Sequence, residues 1–128
     1  MIHRVLVLGG YGNFGQPICR ALAQDARIEL LVGGRNAGAA DVFAATLGAR
    51  GLSIDAGAAD LAARLTALDV ATLIHTAGPF QGQDYTVAKA CIAAGCNYLD
   101  LADGRDFVAG IGALDESARA AGVLVASG

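Results

Sequence analysis

A chain of 128 residues, 55% hydrophobic and 16% charged, has the means to bury one sizeable core and little reason to be disordered. Its formal net charge of −3 argues against a broad nucleic-acid or membrane-surface patch, and Lys89 is the single lysine among mostly arginine cations. No apolar run approaches the ~18 residues of a membrane span. Three cysteines (Cys19, Cys91 and Cys96) without a secretory signal fit a reducing cytoplasm better than a disulfide framework.

The first apolar run, Val5–Leu8, leads into "GGYGNFG" and a helical stretch over Gln16–Gln24, with Pro17 early enough that its missing N–H costs nothing. A second run, Ile28–Val32, ends in "GGRN" before a helix over Ala37–Leu47. A third, Leu52–Ile54, is followed by Asp55 and a helix over Ala59–Leu68. Thr72–His75 leads into "HTAGPF" and a helix over Tyr85–Ala94; Tyr98–Leu101 leads into a helix over Phe107–Ala121, and Val123–Ala126 closes the series. Gly48, Gly95 and Gly122 sit just past helical stretches, where a left-handed residue commonly ends a helix. Apolar residues on consecutive positions mark strands buried on both faces. Strict β–α alternation with right-handed crossovers therefore predicts an α/β fold over residues 1–128. It is a doubly wound parallel sheet of six strands in the order 3-2-1-4-5-6.

Gly10, Gly12 and Gly15 form G-x-G-x-x-G between the first strand and the first helix. One glycine there permits a tight turn, another lets the backbone approach a pyrophosphate, and the third brings helix and strand together. The phosphates would face the free N–H groups and positive dipole end of the helix. No Gly-Lys-Ser/Thr follows, so a Walker-type phosphate loop is excluded. Where NAD-binding proteins place an acid for the ribose hydroxyls, this chain has Gly33, Gly34 and Arg35. Two glycines leave room for a 2′-phosphate and an arginine grips it, which points to NADP in preference to NAD. Asn36 is a candidate helix cap and second phosphate contact. Asp55 reads either as a contact to the adenine edge or as a cap for the helix that follows. Ala77, Gly78 and Pro79 suit the crevice where the nicotinamide ribose would cross the strand ends. His75, just before them, reads as an acid–base group or as a structural histidine.

The stretches "VLVLGGYGNFGQPICRALA", "LLVGGRN", "HTAGPF" and "ACIAAGCNYLDLADGRDF" resemble the N-terminal NADP-binding domain of saccharopine dehydrogenase-like proteins over nearly the whole chain. The most specific part is the ordered series of "AGPF", a helix ending C-I-x-A-G, and "YLDL". The resemblance implies a Rossmann domain of an oxidoreductase that transfers hydride to or from a nicotinamide at a C–N or carbonyl-derived centre. It makes Gly10, Tyr11, Gly12, Asn13, Phe14 and Gly15 the phosphate-loop positions and Arg35 the adenosine-side selector. Ala77–Phe80 becomes the loop along the nicotinamide half. Tyr98 and Asp100 match a Y-x-D strand ending near the active-site cleft, so Asp100 joins His75 as a catalytic candidate. Asp103 stands where many members carry a glycine–glutamate pair. The partner implied is a small-molecule substrate held by a C-terminal domain outside these residues, with a homodimer compatible and neither nucleic acid nor membrane expected.

Gly9, Gly12 and Gly15 also read as G-x-x-G-x-x-G, which resembles atypical short-chain dehydrogenases. The alternative function is then a non-catalytic NADP-binding module or redox sensor. Tyr85 and Lys89 form a Y-x-x-x-K, but they precede the fifth strand where that family's pair follows it, and any such spacing shares a helix face. The match reads as coincidence. Cys91 and Cys96 lack further ligands at metal-binding spacing and read as small buried hydrophobes, so no metal site is expected.

Overall fold

Val5, Leu6, Val7 and Leu8 are all buried because their strand, β1 (His3–Leu8), has a strand on each edge and helices on each face. The computed structural model describes residues 2–78 and 84–128. After β1 come α1 (Gly15–Leu22), β2 (Ile28–Gly34), α2 (Ala37–Ala45), β3 (Arg50–Ser53), α3 (Leu61–Ala67) and β4 (Thr72–His75). The second half runs α4 (Thr86–Ala94), β5 (Asn97–Asp100), α5 (Arg105–Gly110), a 3-10 turn (Ile111–Leu114), α6 (Asp115–Ala121) and β6 (Val125–Ala126). All pairings are parallel and the order is β3-β2-β1-β4-β5-β6, the order that the alternation predicts.

The pleat divides the core in two. Val5, Val7, Leu30 and Val32 point to one side and pack with Cys19 of α1 and with Ala40 and Ala44 of α2. Leu6, Leu8, Leu31 and Leu73 point to the other and meet Leu61 and Leu65 of α3 and Val87 and Cys91 of α4. A strand used on both faces needs apolar residues at every position, which accounts for the unbroken runs. The register aligns Leu8 with Gly33 and His75, and His75 with Asp100, so the C-terminal ends of the strands form one rim. The strand order reverses direction between β1 and β4, and the crevice opens there.

Two expectations about elements are corrected. The helix predicted over Phe107–Ala121 is broken into α5, the 3-10 turn and α6. Gly110 and Gly112 weaken it at the break, and the Tyr85 hydroxyl sits where a side chain at Gly110 would be. The third strand runs Arg50–Ser53, two residues earlier at its start than predicted; the Ile54 N–H still pairs with the Gly34 carbonyl (2.8 Å), beyond the strand itself. Gly95 and Gly122 close α4 and α6 in the left-handed conformation, at φ 70° and 71°.

Candidate functional site

The turn between β1 and α1 is built around Gly9. At φ +83° it takes a conformation that side chains avoid, and a Cβ there would lie 2.8 Å from Thr76 Oγ1 and 3.0 Å from the Ala77 nitrogen. Its N–H donates to the Gly33 carbonyl (2.8 Å), as does that of Gly10 (3.3 Å). The tight turn expected of a glycine in G-x-G-x-x-G is made by Gly9, just before that motif. Gly10 packs down onto the sheet, where a Cβ would meet Val32 Cγ1 and the Val7 carbonyl at 3.0 Å. Gly15 brings α1 against the loop, since its Cβ would lie 2.6 Å from Gly10 Cα. Gly12 is the least crowded of the loop glycines, its Cβ meeting only the Gly9 carbonyl, at a close 3.2 Å.

Above Gly12, the N–H groups of Asn13 and Phe14 make no hydrogen bond among the described residues, and no side chain caps the start of α1. They are orphan donors at a helix N-terminus, the standard equipment for an anion. The Gln16 side chain pins the loop by donating to the Tyr11 carbonyl (2.8 Å), and Arg20 steadies Gln16 (2.9 Å). Beneath the loop Cys19 is fully buried, and burial pushes its thiol up to about 11 against the smaller pull of Arg20.

At the end of β2 the two glycines serve purposes other than the one expected. A Cβ on Gly33 would lie 2.7 Å from Ile54 Cγ2 and 2.9 Å from Leu6 Cδ1, so this glycine admits the core. A Cβ on Gly34 would lie 2.6 Å from Tyr11 Cζ, so the space beside it is filled by the Tyr11 ring. The Tyr11 hydroxyl accepts the Asn36 N–H (3.1 Å), and the Asn36 side chain caps α2 by accepting from Ala39 N–H (2.9 Å). Arg35 stands exposed between them, its guanidinium bonded to nothing among the described residues. Asp55 does not cap α3, which begins at Leu61. One of its oxygens instead accepts the Gly57 N–H (2.9 Å) in a turn.

On the other side of the crevice, the Thr76 N–H and hydroxyl both donate to the Leu8 carbonyl (2.9 and 2.8 Å). His75 is buried; its Nδ1 accepts the Ala77 N–H (3.3 Å), and its ring meets Tyr98 edge-on at 6.3 Å. The Tyr98 hydroxyl donates to Asp100, and burial followed by that carboxylate pushes the phenol well above its ordinary range. Asp100 also accepts from Ala102 N–H (3.0 Å), Ser127 Oγ (2.7 Å) and Gly128 N–H (3.1 Å). Its carboxylate ties the end of β5 to the residues after β6.

These pieces surround a cleft of about 800 Å³ over the switch point, within the range of cofactor sites. Of the residues singled out from sequence, Gly9, Tyr11, Gly12, Gly34, Arg35, Asp55, Ala77 and Gly78 line it. Gly10, Asn13, Phe14, Gly15, Asn36, His75 and Asp100 are not in its wall, and Pro79 lies outside the described residues. Sequence reasoning missed Asp84, Thr86 and Val87, which approach from the start of α4. The sequence carried a capping pattern there, which marks a helix start but not what that start faces. Asp84 accepts both the hydroxyl and the N–H (3.0 Å) of Thr86, and these bonds hold its carboxyl below the usual value. Tyr85 is turned elsewhere, donating to the Phe107 carbonyl (2.7 Å) with the two rings 4.7 Å apart. Cys91 and Cys96 are buried free thiols, and no group of three metal-ligating side chains occurs among the described residues. No helix among them is long and apolar enough to cross a membrane.

A parallel sheet in this order, a glycine turn after its first strand and a cleft over the switch point define a dinucleotide-binding domain of the Rossmann type. Residues 5–125 match the family described as the saccharopine dehydrogenase NADP-binding domain, and the chain belongs to that family. Among solved structures it is similar to saccharopine dehydrogenase (L-Glu forming) from Saccharomyces cerevisiae, with a TM-score of 0.80 and 23% identity. That likeness covers 98% of this chain and 26% of the yeast enzyme. GenD2 of gentamicin A biosynthesis, solved with NAD, gives a TM-score of 0.70 at 26% identity, over 99% of this chain and 34% of that one. Biliverdin reductase from Synechocystis, solved with biliverdin and NADP+, gives 0.70 at 21%, over 97% and 37%. The chain thus spans well under half the length of these proteins. No curated protein matches it.

Proposed function

We propose that this chain is the cofactor domain of an NADP-dependent oxidoreductase and that NADP(H) lies extended along the strand ends. The observation that carries the reading is Arg35, an exposed guanidinium without a partner among the described residues, on the cleft wall directly after the position where an acid would select NAD. There it would bind the 2′-phosphate. Gly12 with the N–H groups of Asn13 and Phe14 would take the pyrophosphate, the second Asp55 oxygen would accept from the adenine amino group, and Ala77 and Gly78 would flank the nicotinamide half. When bound, the nicotinamide supplies the hydride; this domain's share is orientation and electrostatics.

The hydrogen bonds of Asp100 support a structural role for it, and the engaged Nδ1 of His75 supports the same for that ring. Acid–base groups and the substrate, a small molecule with a C–N or carbonyl-derived centre, would then come from a second domain. Support for this is the 26% share of the yeast enzyme that the chain covers. The free, buried thiols support a cytoplasmic setting. Calorimetric titration with NADPH and then NADH at modest salt tests the reading. NADPH is expected to bind ~10-fold or more tightly. Equal affinities would remove Arg35 as the selector, and failure of both cofactors to bind would remove the site.

A further inference from the structure

The space beside Gly34 has an occupant, and that occupant is held. The Tyr11 ring packs against the cluster of Val5, Val7 and Val32. Its backbone carbonyl is gripped by Gln16, and its hydroxyl accepts the Asn36 N–H (3.1 Å). A Cβ at position 34 would lie 2.5 Å from the hydroxyl oxygen and 2.6 Å from Cζ, well inside van der Waals contact. Position 34 is also where a ribose-binding acid would extend from the end of β2. Any side chain there has to displace the ring, break the Asn36 bond and uncover the apolar cluster.

We propose that Tyr11 is a specificity-determining residue, its ring excluding an acidic ribose anchor at position 34 and its hydroxyl helping Arg35 to bind the 2′-phosphate. The inference rests on the NADP reading and deepens it. Because the Tyr11 oxygen accepts from Asn36, its own proton points elsewhere, and it donates to no group among the described residues. Tyr11 and Arg35 line the same cleft, so a hydroxyl donor and a guanidinium are both available to one anion. Attraction at Arg35 and Tyr11 then selects NADP, and the ring keeps position 34 free of the carboxylate that would favour NAD.

The test is a set of three variants of the full 128-residue chain, with NADPH and NADH titrations and thermal melts for each. Tyr11→Phe keeps the ring and removes only the hydroxyl; it should weaken NADPH ~10-fold and leave NADH unchanged. Gly34→Asp alone should lower the melting temperature and lose both cofactors. Gly34→Asp combined with Tyr11→Ala should fold better than Gly34→Asp alone and bind NADH in preference to NADPH. Tight NADH binding by Gly34→Asp alone would mean that the ring yields freely, and the proposal would fall. It would fall equally if Tyr11→Phe left the NADPH-to-NADH ratio of an NADPH-binding protein untouched, an outcome that spares the NADP reading. If Gly34→Asp fails to fold, Tyr11→Phe and the double variant decide. A wild-type chain that binds neither cofactor, or both equally, would remove both proposals together.

Discussion

At the end of β2, Arg35 stands exposed and bonded to nothing among the described residues; at the matching end of β5, Asp100 is 6% exposed and accepts four hydrogen bonds. Both are charged residues at the C-terminal rim of one sheet, yet their surroundings differ in kind. A buried carboxylate persists only when donors surround it, so Asp100 explains its own bonds without a ligand. An exposed guanidinium on a cleft wall has polar capacity that the fold itself does not use. The same contrast separates Tyr11, which lines the cleft, from Tyr85, whose hydroxyl is committed to the Phe107 carbonyl. In this molecule the β1–β3 half keeps polar groups open at the rim, and the β5–β6 half uses them to hold itself together.

The contrast can be broken most forcefully at Asp100. Replacing it with Ala strands two buried donors, the Tyr98 hydroxyl and the Ala102 N–H, frees Ser127 and Gly128, and should cost ~3–5 kcal/mol, read as a large drop in denaturation midpoint. Little or no loss would mean that Asp100 is not the tie between β5 and the residues after β6. Next in size is a pair of glycines in the loop. Gly15→Ala should cost ~2–3 kcal/mol because its Cβ has no room beside Gly10, whereas Gly12→Val should keep the fold and lose cofactor binding. Equal melting temperatures for the two variants would overturn the roles assigned to them. Arg35→Ala should weaken NADPH by ~1–3 kcal/mol and leave NADH and the melting temperature nearly unchanged, as calorimetry would show.

Tyr85→Phe should cost only ~1 kcal/mol of stability and nothing in cofactor affinity. A loss of affinity would reopen the Y-x-x-x-K reading. At neutral pH the smallest effect comes from the buried acids Cys19 and Tyr98, because both stay protonated whether the chain is folded or not. Above 9.0 the unfolded chain releases the Cys19 proton that the folded chain holds to about 11, so stability falls as pH rises through that window. Tyr98 adds a further decline above its ordinary value of 10.0, for the same reason. Urea titrations from pH 8 to 11 should show this alkaline decline. Cys19→Ala should shrink its earlier part, to which the buried Cys91 thiol also contributes, and Tyr98→Phe the later, and a flat profile would contradict both.

Much of the fold was legible in advance because its determinants are local. Four apolar residues in a row at Val5–Leu8 can only be a strand covered on both faces, and glycines after helical stretches mark their ends. The fifth helix misled because its periodicity continues across Gly110 and Gly112, while the break depends on Tyr85 arriving from 25 residues earlier in the chain. At the candidate site, the glycine loop and Arg35 could be found from spacing, because the distance between strand end and helix start is a local quantity. Asp84 and Thr86 could not be assigned to the cleft that way, since a capping pattern says nothing about what the helix end faces.

By itself, then, the sequence determined the alternation of elements, the sheet order and the place of the glycine loop. Each follows from short-range periodicity, chirality and residue chemistry. Only the tertiary structure decided which glycine turns, what stands beside Gly34 and where the oxygens of Asp100 go. These are contacts between segments far apart in the chain, such as Tyr11 with Gly34 and Asp100 with Ser127. No local pattern specifies them, because they exist only once parallel strands have brought their ends to a common rim.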